Sequence, residues 1–180
     1  MSNPQRRLYD VVTDPAYIEG LAEKSVEDLR AERDECREVE NEISFERRLC
    51  HARIDILNAE MARREGAEGE DLLAHLPEIL SDEAPQHSDA PLPERAPDLT
   101  IPRNADIPRR RVEEIVGERT LAQLGQLQVR EIRNILANIR EHESQLSARR
   151  RRVHEVIDEI QAEIVRRYQT GEADPTSALS

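Results

Sequence analysis

The sequence predicts an all-α protein. Two long helices pair as an antiparallel coiled coil, joined by a flexible acidic linker and flanked by short accessory helices. Three observations carry that reading. Apolar residues recur at heptad spacing in two stretches of roughly forty residues each. Charged residues make up 36% of the chain and aromatics 2%, with no Trp and a single Phe. So little aromatic volume anchors a large globular core poorly and suits long helices better. Finally, the two heptad stretches are copies of one another.

The duplication emerges when the chain is shifted by 103 positions. Val26 then falls on Val129, Arg30 on Arg133, and Arg37-Glu38 on Arg140-Glu141. Ile54-Asp55 falls on Ile157-Asp158, Ala59-Glu60 on Ala162-Glu163, and Arg63-Arg64 on Arg166-Arg167. The matches run without a gap, so they describe a duplicated helix and not shared coiled-coil composition.

The elements follow in order. Residues 1–24 form an N-terminal segment. Helix one spans 25–65, opened by Ser25 and Asp28 as a capping box and closed by Gly66. Its expected core is Val26, Leu29, Cys36, Ile43, Cys50, Ile54, Leu57 and Met61. Residues 66–107 form the acidic, Pro-rich linker, with two Arg against ten acids, a composition that predicts flexibility. Within it, Leu72, Leu73, Leu76, Ile79 and Leu80 suit a short amphipathic segment that either docks a partner or folds back on the helices. Residues 108–125 predict a short helical segment, with Pro108 in its first turn. Helix two spans 126–169, with Val129, Ile132, Leu136, Ile139, Leu146, Val153, Ile157, Ile160 and Ile164 as its core. Residues 170–180 are expected to be a disordered tail. At 1.5 Å per residue each long helix is roughly 60 Å long, and neither can bury its stripe alone.

Charge and targeting narrow the function. The net charge is -12, which argues against direct DNA binding or an anionic membrane surface and favours a basic protein partner. Helix two is the exception, with nine Arg against seven acids, and suits a small anion. No run approaches the ~18 apolar residues of a membrane span. "MSNPQRRLYD" lacks the apolar stretch of a secretory signal, so a cytoplasmic protein is expected. Cys36 and Cys50 lie on the apolar stripe and read as buried thiols, not as a disulfide.

Both helices carry E-x3-S-x2-R-x3-H-x3-D. In helix one it is Glu40, Ser44, Arg47, His51 and Asp55; in helix two, Glu143, Ser147, Arg150, His154 and Asp158. At about 100° per residue, these offsets fall on one helix face within an arc of roughly 80°. Glu40, Arg47, Glu143 and Arg150 occupy core heptad positions, where an unpaired charge costs several kcal/mol.

Three readings account for charge in the seam. One is an interhelical Glu–Arg network that fixes register. A second is a metal site, but Glu-x-x-His spacing is missing and a central Arg repels a cation. The third is a planar, anionic ligand containing guanine. Arg stacks on a base or forks onto guanine O6 and N7, and a carboxylate accepts from the N1–H and exocyclic amine. Ser and His add neutral or switchable hydrogen bonds. The chemistry of the row does not by itself choose between register network and guanine site. No nucleophile–base pair, Gly-rich phosphate loop or metal cluster is legible, so a binding protein without catalytic residues, metal or cofactor is expected.

The paired rows resemble the signature of RsiG, the cyclic-di-GMP-dependent anti-sigma factors of sporulating actinobacteria. The likeness covers both long helices, roughly half the chain. The family typically has Gln at the fourth position, where this sequence has His51 and His154. The resemblance implies a two-helix antiparallel coiled coil that binds an intercalated pair of cyclic-di-GMP molecules through the ten motif residues. It also implies a partner, a flagellar-class sporulation sigma factor of the WhiG type, held away from RNA polymerase core.

Overall fold

The computed structural model describes residues 4–64 and 110–172. The amphipathic segment at 72–80, Gly66, Pro108 and the tail from 173 onward lie outside the described residues. The described elements begin with α1 (Pro4–Val12), two 3-10 turns (Pro15–Ile18 and Leu21–Glu23) and the first long helix, α2 (Val26–Arg64). Then come α3 (Arg111–Ile115), α4 (Glu118–Ala122), a 3-10 turn (Leu124–Gln126) and the second long helix, α5 (Val129–Thr170). Among the described residues there is no strand, and no helix is long and apolar enough to cross a membrane.

The two long helices start by related chemistry. Ser25 Oγ accepts the Asp28 N–H at 3.1 Å and donates to the Asp28 carboxylate at 2.7 Å. Before α5, Glu131 reaches back to the Gln128 N–H at 2.6 Å. Each contact satisfies an N–H that the first turn leaves without a helical partner. The far end of α5 closes on Gly171, which adopts φ 74°. The Glu172 N–H then reaches the Arg167 carbonyl at 3.0 Å and the Gly171 N–H the Tyr168 carbonyl at 3.4 Å, a Schellman closure.

The chain forms two compact units, and each long helix contributes to both. Among the described residues, the first unit holds 4–43 and 148–172. Here the early part of α2 packs antiparallel on the late part of α5. Arg30 donates to the Tyr168 hydroxyl, and Arg33 Nη1 to Gln161 Oε1 at 3.3 Å. Val26, Leu29, Cys36, Val39 and Ile43 meet Val153, Val156, Ile157, Ile160 and Ile164 in the buried layer. Val12 of α1 is fully buried, and Tyr9 lies under Arg149 with the guanidinium 5.4 Å from the ring centre. Lys24 donates to the Tyr17 carbonyl at 3.0 Å and to Glu32 at 2.8 Å, pinning the lead-in turns onto α2.

Among the described residues, the second unit holds 44–64 and 110–147. Cys50, Leu57 and Met61 of α2 pack with Ile132, Leu136, Ile139 and Leu146 of α5. Arg140 donates to Asn58 across the pair at 3.2 Å, again antiparallel. Val112 and Val116 seat α3 and the residue after it with no exposed surface. A Cβ on Gly117 would stand 2.9 Å from the Glu113 carbonyl, so the tight α3–α4 junction suits a residue without one. Burying a large aliphatic side chain contributes about 1.5–3 kcal/mol, so Leu29, Leu57, Ile132, Ile139 and Ile160, all fully covered, carry much of the stability.

The heptad reading placed most of these residues. Ile54 and Val129 are only half-buried, while Val39 and Val156 join the core unforeseen.

Candidate functional site

The five-residue rows assemble into two polar clusters, one in each unit. In the first unit, Glu40 Oε1 accepts from Arg150 Nε at 2.8 Å and stands 3.1 Å from His154 Nε2. In the second, Glu143 Oε1 accepts from Arg47 Nε at 2.9 Å and stands 3.1 Å from His51 Nε2. Ser147 Oγ adds a third contact to that oxygen at 2.8 Å. Antiparallel pairing is what makes the two clusters alike. A motif Glu on one helix always meets the Arg and His of the other motif.

The local reason is helical spacing. Arg47 and His51 are four residues apart, as are Arg150 and His154, so each pair rises on one face over one turn. A Glu opposite then receives both. The Nε2 of each histidine must carry a proton to donate, which sets the tautomer. The clusters are also only partly closed. Side-chain exposure is 22% for Arg47, 32% for Arg150, 36% for His51 and 31% for His154. Core neighbours such as Cys50 and Val153 are at 0%. The heptad positions therefore sit at the rim of the seam, where a solute can reach them.

The remaining motif residues divide. Ser44 is buried. Asp55 is half-buried and feels the charge of His51; burial pushes its carboxyl up and His51 partly offsets that. Asp158 is exposed. Burial also pushes the Glu143 carboxyl up, but the hydrogen bonds from His51, Ser147 and Arg47 outweigh it and hold Glu143 below the usual carboxylate range.

Several further polar contacts lie outside the motif. Glu46 stands 2.9 Å from His142 Nε2 and accepts the Val112 N–H at 3.4 Å. Burial raises the Glu46 carboxyl, yet the His142 hydrogen bond and charge, the Val112 N–H and Arg110 bring it net below its ordinary value. Arg53 pairs with Glu113 of α3, and Arg110 lies 4.9 Å from the Phe45 ring centre. Together these hold α3 on the second unit. No spacing rule on one helix finds such contacts, because they join segments distant in sequence. A fainter signal existed for Arg64 and Arg167, which fall on each other under the 103-residue shift. Arg64 Nη2 donates to the Leu124 carbonyl and Arg167 Nη2 to the Leu21 carbonyl, both at 2.7 Å. Each thus ties a long helix to a lead-in turn.

The duplication therefore extends beyond the long helices. The turns Leu21–Glu23 and Leu124–Gln126 are themselves 103 positions apart. A family model described as RsiG-like matches residues 15–80 and 118–180, and its two segments begin at that same spacing. The chain belongs to the RsiG-like family. Membership points to a regulator of the anti-sigma-factor type, and the family is not one of enzymes. No curated protein matches the chain.

Proposed function

We propose that this RsiG-like chain is a cyclic-di-GMP-responsive anti-sigma factor. A pair of cyclic-di-GMP molecules binds at the two Glu–Arg–His clusters, and the loaded protein holds a WhiG-type sigma factor away from RNA polymerase core. The observation that carries the reading is the duplicated, solvent-reachable cluster in the seam of a chain of this family.

The chemistry fits the ligand. Arg47 and Arg150 make their cross-helix ties through Nε. The far edge of a guanidinium so tied suits a guanine edge or a phosphate, and its plane suits base stacking. Asp55 and Asp158 supply carboxylates for the guanine donors. Filling the clusters stabilises the helix pair by mass action. The ordered helices then present the face that the sigma factor reads.

A second reading keeps the clusters purely structural, as ties that fix helix register. It is favoured by the fact that Glu40 and Glu143 already receive an Arg across the helix pair. Titration with the sigma factor at zero and saturating nucleotide separates the two. Under the ligand reading, nucleotide raises sigma affinity by about 5- to 150-fold, a coupling of roughly 1–3 kcal/mol, and sigma factor raises nucleotide affinity equally. Arg47→Ala with Arg150→Ala removes the coupling. Equal sigma binding with and without nucleotide leaves only the structural reading.

A further inference from the structure

We infer that Arg151 binds a nucleotide phosphate beside the first unit's cluster, that its counterpart Arg48 does not do so in the second, and that the two clusters are therefore unequal sites. The inference rests on the proposed function, since it concerns the residues that hold that same ligand.

Each motif row has a companion outside the motif. Arg48 follows Arg47 on α2, and Arg151 follows Arg150 on α5. Both stand eight positions after the motif Glu of their own helix. At about 100° per residue, that places each about 20° round the helix from the motif Asp, on the side away from the core stripe. By sequence position alone the two companions are equivalent.

Their surroundings are not. A long side chain on a helix leans toward the N-terminus, over the residue three or four places back. Three places before Arg48 is Phe45, and the Arg48 guanidinium lies 5.8 Å from the ring centre. Arg110 lies over the same ring at 4.9 Å, so the start of α3 closes this corner of the second unit, and Arg48 is half-buried there. Three places before Arg151 is Ala148, exposed and without a ring. Arg151 is itself exposed, and no ring or ion pair holds it among the described residues. Glu155 follows one turn on along α5, also exposed. An exposed i, i+4 pair is weak, so it does not compete with a phosphate.

An unengaged guanidinium forks onto phosphate oxygens directly. One held over a ring, with a second guanidinium crowding it, gives up that contact first. The motif arginines lean the same way, since Arg150 is more exposed than Arg47. The histidines differ little in exposure and do not distinguish the clusters. A ligand with two phosphates per molecule is therefore gripped more firmly in the first unit, by Arg150 and Arg151 together.

The experiment is calorimetric titration of the full chain with cyclic-di-GMP at about 50 and about 300 mM salt, comparing wild type with Arg151→Ala, Arg151→Lys and Arg48→Ala. Helical circular dichroism checks that each variant folds. Arg151→Ala is expected to bind about three- to tenfold more weakly, with a shallower salt dependence, because one screened charge contact is gone. Arg151→Lys keeps the charge and is expected to stay within about twofold of wild type, as is Arg48→Ala. A folded Arg151→Ala that binds as wild type does, or an Arg48→Ala that loses as much as Arg151→Ala, overturns the inference and leaves the ligand assignment standing. No binding by the folded wild type at either salt concentration removes the proposed function itself, and the inequality with it.

Discussion

Arg167 Nη2 of α5 donates to the carbonyl of Leu21 at 2.7 Å, while its Nε holds Glu163 at 2.8 Å. One side chain thus joins the end of the second long helix to the turn that leads into the first. Arg64 does the same for Leu124 and Leu127 in the other unit, beside Glu60. The i, i+4 carboxylate fixes the guanidinium, and the fork then reaches a carbonyl that also accepts the closing N–H of its own 3-10 turn.

Removing that tie should therefore cost more than a surface ion pair. Arg167 is buried, and truncation removes a charged donor from both the Leu21 carbonyl and the Glu163 carboxylate. Arg167→Ala is expected to lower unfolding stability by about 1.5–3 kcal/mol, and Arg64→Ala by a similar amount. Urea denaturation followed by helical circular dichroism measures both. Arg166→Ala, by contrast, removes an exposed side chain whose partner Glu163 keeps Arg167, and should change stability by less than about 1 kcal/mol.

His142 offers a second test. It is buried against Glu46, and its Nδ1 finds no partner among the described residues. His142→Ala leaves the Glu46 carboxylate short of its main donor and should destabilise the second unit by about 1–3 kcal/mol. Amide exchange of Val112 and Val116 should accelerate with it, because the Val112 N–H rests on the same carboxylate.

The two cysteines are free and fully buried. Burial pushes the Cys36 thiol up to about 11 and the Cys50 thiol up to about 12. The thiolate is the reactive form, so both should resist a thiol reagent near pH ~8 in the native protein and react in denaturant. Rapid labelling of either thiol under native conditions contradicts the packing described for the seam.

Acid should unfold the protein through its carboxylates. Arg63 and Arg64 hold Glu60 at about 2, Arg166 and Arg167 hold Glu163 at about 2, and Glu46 and Glu143 are also lowered. A carboxyl whose folded pKa lies below its unfolded value contributes stability above the unfolded value. It loses that stability as pH falls through the folded value. The window for Glu60 and Glu163 runs from 4.5 down to about 2. Glu60 and Glu163 are each 13% exposed and Glu46 17%, so all three contribute to the acid limb. The urea midpoint is expected to fall steadily from pH ~5 to ~3, and Glu46→Gln should flatten part of that slope while lowering the plateau.

Periodicity and repetition made much of this protein legible. The two helices, the buried thiols, the Ser25 cap and the paired motifs all follow from short-range rules. A side chain's face on a helix depends only on its position, so heptads and a 103-residue shift suffice to read them. What each motif residue touches was decided by tertiary structure. Glu40 receives Arg150 and His154 because antiparallel packing sets the register between two helices, and no single helix encodes that offset. The docking of α3 through Glu46, His142, Arg53 and Glu113 is likewise a meeting of distant segments. Its residues are polar and follow no stripe, so they look like solvated surface until the fold removes the water around them.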